Sequence, residues 1–292
     1  MKRINIIITI FMLLPVVIFA QEEGTEEQET VYVINPLIKT TSKLERDAFE
    51  FAGLIDGQTD NVYKKGTLEF VINHRFGLVN NAPQDNDLIG IWGAANIRLA
   101  LEYSVTDWAQ IGFGSTKDKR LQDFNFKLAL LKQTRDNKFP LNISYYGNYT
   151  VDARRKENFQ FTEDRYSFFN QIIFSRRFTR NFSFSVSPSI SHFNLVDNGE
   201  SNDIFALGFA TRYKISPQTA ITAEYTQPFG VNDNIEYGFA LGVEFAVSNH
   251  AFQVYITSYR GINPQQNIMF NENKFFDGDF AIGFNINRLW NF

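Results

Sequence analysis

Charged and amide side chains capable of chemistry stand at alternating positions among apolar ones: Glu69, Asn73, Arg75, Arg98, Glu102, Asp123, Asn125, Lys127, Arg177, Arg212, Lys214, Glu224, Glu236 and Glu244. Six of these are basic and six acidic. Arranged around a common space, opposed charges set up a transverse field that selects small polar solutes, as rings of charge do in pores. Paired across neighbouring strands, the same charges fill that space. The sequence leaves both readings open. Arg98, Glu102, Lys127, Arg212 and Glu244 are the leading candidates to line a solute path, with Glu69, Arg75 and Glu224 beside them.

Other chemistries are poorly supplied. Cysteine is absent, which removes disulfides, zinc clusters and thiol catalysis, and no pattern calls for a cofactor or a resident metal. His192 lies near Ser189, Ser191 and Asn194, residue types that phospholipase-type barrels combine at their outer rim. On a strand, however, Ser189 and Ser191 point away from the face that carries His192, so base and nucleophile cannot meet. His74 and His250 have no better company, and the chain reads as a non-enzyme. Asp197, Glu200, Asn202 and Asp203 offer hard oxygen ligands of the kind calcium takes, or simply a solvated loop. Lys117, Lys119, Arg120, Arg154, Arg155 and Lys156 could meet lipopolysaccharide phosphates through charge-assisted bonds, or form a hydrated rim.

The elements that must position these groups are strands. In residues 95–115, Ile97, Leu99, Leu101, Tyr103 and Val105 take every second position, with Arg98 and Glu102 among the residues between them. A two-residue turn, Thr106-Asp107, leads into a second alternating arm. Period two over ten residues is a strand with one apolar and one polar face. Arg98 and Glu102 share the polar face but lie ~13 Å apart along it at the usual strand rise, so each is expected to find its partner elsewhere.

Twelve such stretches follow one another: 67–79, 95–106, 108–115, 121–132, 140–151, 165–178, 181–194, 203–214, 219–229, 236–246, 250–259 and 279–289. Typical lengths are near the ~9–11 residues that a tilted strand needs to cross a bilayer. Short connections alternate in order with mostly longer ones, the habit of outer-membrane barrels with periplasmic turns and external loops. Rows such as Phe124, Phe126, Leu128 and Leu130 supply an apolar outside, while Trp108, Phe178, Phe182, Tyr213 and Trp290 fall beside short turns, where an interfacial aromatic girdle sits. Open sheet edges would leave amides unpaired in lipid, so the sheet must close. The expected fold is all-β: a closed antiparallel up-and-down transmembrane β-barrel of about twelve strands, returning both ends to the periplasm.

Composition agrees. Thirty-one Phe and twelve Tyr coexist with a slightly negative mean hydropathy, as a greasy exterior and a wet interior require. Small inward residues (Ala206, Gly208, Ala210, Gly238, Ala240, Gly242, Ala281, Gly283) and the serines from Ser183 to Ser191 leave room for water, a solute or the N-terminal segment, or relieve curvature.

Met1-Lys2-Arg3, an apolar run to Phe19 and the small Ala20 describe a secretory signal peptide over 1–20. An acidic flexible leader is expected over 21–34, a periplasmic or plug segment over 35–66 and the barrel over 67–292. The formal net charge is −4. Without Lys2, Arg3 and the leader glutamates Glu22, Glu23, Glu26, Glu27 and Glu29 the body is near neutral, which argues against nucleic-acid binding.

The segments 66–77 (GTLEFVINHRFG), 95–119 and 276–292 (FDGDFAIGFNINRLWNF), with FAGLIDGQT at 51–59, resemble domain-of-unknown-function family 5777, outer-membrane barrels of Bacteroidota-type bacteria. The alternating last strand with terminal Phe292 is similar to the assembly signal of bacterial outer-membrane proteins. The resemblance implies fold and location but no ligand residue.

The expected protein is a monomeric barrel of the bacterial outer membrane, in contact with its lipid and lipopolysaccharide, that passes or binds a small polar solute. Two alternatives stand: a closed scaffold docking a periplasmic partner through residues 31–66, and an outer-membrane lipid-modifying enzyme.

Overall fold

The period-two stretches form twelve long strands in a computed structural model that describes residues 31–79, 88–197 and 199–292. After a small hairpin of β1 (Tyr32–Asn35) and β2 (Ile38–Thr40) come β3 (Thr67–Leu78), β4 (Asn96–Thr106), β5 (Ala109–Thr116), β6 (Leu121–Leu131), β7 (Asn142–Asp152) and β8 (Tyr166–Arg177). The second half holds β9 (Phe182–Phe193), β10 (Asp203–Lys214), β11 (Thr219–Phe229), β12 (Gly238–Val247), β13 (His250–Thr257) and β14 (Ala281–Asn291). Each end of the twelve barrel strands, β3 to β14, falls within two residues of its sequence expectation, whereas β1 and β2 have no counterpart among the expected strands. The expected signal peptide and the leader as far as Thr30 lie outside the described residues.

Every barrel strand pairs antiparallel with its chain neighbours, and β14 closes on β3 with Trp290 opposite Leu68 and Asn285 opposite Asn73. No edge is left, which is the condition for a sheet in lipid. Burial is inverted relative to a water-soluble protein: Asp123 and Glu244 are 0% exposed while Leu101, Phe124 and Val254 are 50%, 51% and 54% exposed. At roughly 25 cal/mol per Å² of apolar surface, such an exterior belongs against hydrocarbon.

Three sequence expectations need correction. The boundary drawn at residue 34 cuts the β1–β2 hairpin, which turns at Asn35-Pro36 because the Asn35 side chain accepts the amides of Leu37 and Ile38. Glu236 precedes β12 and pairs with Lys274 at 3.6 Å, so it belongs to an outer loop rather than to the inner wall. The connection from Arg260 to Gly278 is not simply external. Its one described α-helix, α1 (Pro264–Phe270), buries Gln265, Asn267, Ile268 and Met269.

The interior is filled from both ends. Ile268 and Met269 pack against Tyr146, Phe169, Ile173, Ile204 and Ala206. From the other end the chain between β2 and β3 enters, with Phe49 and Leu54 against Ala210 and with Ile55 against Ala240 and Tyr255. The small inward residues therefore mark occupied space: a Cβ on Gly242 would stand 2.8 Å from the Tyr255 Cβ and 3.0 Å from the Ile55 Cδ1.

Candidate functional site: the charged inner wall and the segment it holds

All eight path candidates lie on the inner face. Arg98 donates through Nε and Nη2 to the two carboxylate oxygens of Asp123, at 2.9 and 2.6 Å. Its guanidinium is also 3.6 Å from Glu102, so the expectation that these two stay apart fails. The reason is β5, whose inner positions facing them are glycines. A Cβ on Gly112 would lie 2.2 Å from the Glu102 carboxylate, and one on Gly114 would lie 2.5 Å from Arg98 Nε. Both side chains cross this bare backbone and converge at β6, where Asn125 donates to Glu102 at 3.1 Å.

Five of the eight hold the inserted segment. Leu54 N–H bonds the Gly57 carbonyl and Thr59 N–H the Ala52 carbonyl, closing a tight turn at Asp56-Gly57. The turn aims the amides of Ile55, Asp56 and Gly57 in one direction, an anion-binding concavity. Glu224 fills it, accepting all three at 2.9 Å. Arg75 ion-pairs with Asp56 and donates to the Tyr259 carbonyl at 3.2 Å. Lys127 Nζ donates to the Ala52 carbonyl at 2.6 Å. Glu69 accepts the Tyr63 hydroxyl at 2.8 Å. Arg212 lies 2.8 Å from Glu244 on the wall and 3.5 Å from Glu50 on the segment.

Sequence reasoning missed several members of this network. Thr257 donates to Asp56 at 2.6 Å, and Asn285 donates to the carbonyls of Leu54 and Ile55 at 3.1 Å. Asn285 sits at an inward position by parity, and Asp56-Gly57 is a turn signal, so both were within reach. Asn263 and Gln265 had no such signal; Asn263 donates to Asp123 at 3.3 Å and Gln265 to Thr150 at 2.7 Å. Within the segment, burial pushes the Asp60 carboxyl up to about 6, against a hydrogen bond from Ser175 and with a smaller contribution from Asp47.

Between the two fillings remains a cavity of about 60 Å³ bordered by Glu69, Arg75, Arg98 and Glu102. At about 30 Å³ per water it has room for a few waters and no solute. Elsewhere, the His192 ring nitrogens meet Asp203 at 2.8 Å and Asn194 at 2.9 Å rather than a serine. On the basic rim, Lys117 donates to the Ala95 carbonyl, Arg154 pairs with Asp152 and Lys119 lies over the Phe270 ring.

The NanC porin is similar over 76% of this chain and 98% of its own, at 9% identity and a TM-score of 0.49. An outer membrane channel from Pseudomonas putida F1 is similar over 79% and 97%, at 12% identity and a TM-score of 0.45. No match was found among curated protein sequences. A family model described as a membrane-bound beta barrel domain matches residues 49–290, in keeping with a closed sheet whose apolar side faces outward. The chain thus belongs to that family, domain-of-unknown-function family 5777, and is a β-barrel of the bacterial outer membrane.

Proposed function

We propose that the barrel is a conduit for a small polar solute, closed in this conformation by its own N-terminal segment and by the returning loop that carries α1. Withdrawal of residues 44–64 would expose a wall carrying Arg98, Glu102, Lys127, Arg212 and Glu244 to water. The observation that carries the reading is the grip of Glu224 on three backbone amides of the segment. A polar contact of this kind exchanges protein partners for water at small net cost. A permanently closed scaffold has a cheaper solution in an apolar core.

Planar-bilayer recording of the full-length protein and of a variant lacking residues 44–64 and carrying Ile268→Asp, which frees the returning loop as well, tests this. The full-length chain is expected to be silent or to open rarely, and the deletion variant to conduct continuously. Silence in both would sink the reading. One observation favours the scaffold alternative: Val31, Val33 and Leu37 of the β1–β2 hairpin stand 53%, 55% and 73% exposed, an apolar surface suited to a periplasmic protein partner. Retention of such a partner by the full chain, lost when the three are changed to Ser, would support it.

A further inference from the structure

The barrel's short-turn end, which in outer-membrane barrels faces the periplasm, holds a cavity of about 820 Å³. Its walls carry Arg46, Arg135, Arg177, Arg180 and Lys214 and a single carboxylate, Glu45. Among the described residues none of these five cations forms an ion pair. The Arg177 guanidinium donates only to the carbonyls of Thr179 and Arg180, at 3.2 and 3.0 Å. Deeper in the barrel the opposite rule holds, with Arg75 on Asp56, Arg98 on Asp123 and Arg212 on Glu244. The fold thus neutralises its buried arginines and leaves this group open to an anion from outside.

A second cavity of about 300 Å³ shares Arg46, Arg177, Arg180 and Lys214 and continues inward to Arg212 and Glu50. Arg212 is held closely by Glu244, at 2.8 Å, and more loosely by Glu50, at 3.5 Å. Glu50 is 47% exposed at its side chain, so water and small ions reach the weaker contact. Guanidinium groups favour bidentate carboxylate or phosphate oxygens, and the outer cavity falls in the range typical of small-molecule sites, ~300–1,000 Å³. Five cations across that width exceed what one small oxyanion can contact.

We propose that this vestibule binds a solute carrying two or more oxyanion groups, and that its innermost oxyanion displaces Glu50 from Arg212 and loosens the inserted segment. The second half rests on the reading of residues 44–64 as a removable plug; the first half does not.

Isothermal titration of the full chain in neutral detergent at low salt, with pyrophosphate as the probe, tests the site. Wild type is expected to bind one equivalent. An Arg46→Gln, Arg177→Gln, Arg180→Gln triple variant should bind at least tenfold more weakly, and Arg120→Gln on the outer loop should bind as wild type does. Lys214→Gln alone should weaken binding severalfold, which keeps the test alive should the triple variant fail to assemble. Absence of saturable binding, or equal affinity in the triple variant, overturns the site.

Glu50→Gln removes the internal competitor and should tighten binding severalfold; unchanged affinity overturns the displacement step alone. Repeating the titration in nanodiscs containing cardiolipin, whose headgroup carries two phosphodiesters, and in phosphatidylcholine nanodiscs separates the sources. Loss of pyrophosphate binding only with cardiolipin identifies a lipid bisphosphate as the occupant, and equal binding in both identifies a soluble one. Because binding is read without conductance, a silent deletion variant would remove the plug reading and leave the site standing.

Discussion

The carboxylate of Glu224 on β11 and the amide of Gly57 are 2.9 Å apart, although 167 residues separate them along the chain. With the amides of Ile55 and Asp56 on the same carboxylate, this is the most concentrated bond between wall and inserted segment. Glu224→Gln keeps the size but offers one acceptor oxygen in place of two. A loss of about 2 kcal/mol is expected, the scale of a buried amide left without its acceptor. Hydrogen exchange at Ile55, Asp56 and Gly57 should then run roughly 30-fold faster; unchanged exchange would show that Glu224 does not hold the turn.

Acidification should tighten the segment. The Asp60 carboxyl sits near 6 when docked, raised by burial, against an ordinary value of 3.8. It therefore binds its proton more strongly docked than free, and docking gains as pH falls from above 6 toward 4. Asp47 and Lys132 lie close enough to influence Asp60, and other carboxylates line the wall, so the comparison must be with Asp60→Asn. Conductance openings in the wild type should become rarer between pH 7 and pH 5, and this trend should flatten in the variant. An identical pH dependence in both proteins would discount Asp60.

Gly114→Ala should separate Arg98 from Asp123. The added carbon would stand 2.6 Å from both Arg98 Nη2 and Asp123 Oδ1, and crowding of this kind costs about 1–3 kcal/mol. The readout is the urea midpoint of barrel unfolding in lipid vesicles. A shift no larger than that of Ser115→Ala, on the lipid-facing side of the same strand, would mean that the ion pair adjusts freely.

Ile268→Asp should expel the outer loop and leave the wall intact. Ile268 packs among Tyr146, Phe169 and Ile173, where an unpaired carboxylate costs several kcal/mol, while the strand ladder does not depend on it. Trypsin should then cut at Arg260 and Lys274 in a barrel whose melting temperature is little changed. Continued resistance at both sites would contradict a loop held by this apolar contact.

The strands were legible because a two-sided wall writes itself as alternation. Ile97, Leu99 and Leu101 against Arg98, Ala100 and Glu102 give face and length at once. What the inner face meets was not legible, since Lys127 at an inward position reads the same whether its partner is water or the Ala52 carbonyl. Arg98 shows a second limit. Parity assigns it to the interior, but its reach to Asp123 depends on the register that sets Gly112 and Gly114 between β4 and β6. The turn from Arg260 to Gly278 was hidden because Asn263 and Gln265 are polar, as any surface loop is, and burial of the loop shows only in the hydrogen bonds they make.

Closure of β14 on β3 also sets an order of events. The inserted segment precedes β3, yet three of its anchors stand on β11, β13 and β14: Glu224, Thr257 and Asn285. Arg75 and Glu69 on β3 and Lys127 on β6 can engage it early, but until the last strand arrives the turn at Asp56-Gly57 lacks Asn285. Such distant contacts form slowly, because the closure entropy of a long loop must be met before any bond is gained. The segment made before the barrel is therefore fully secured only once the barrel has closed.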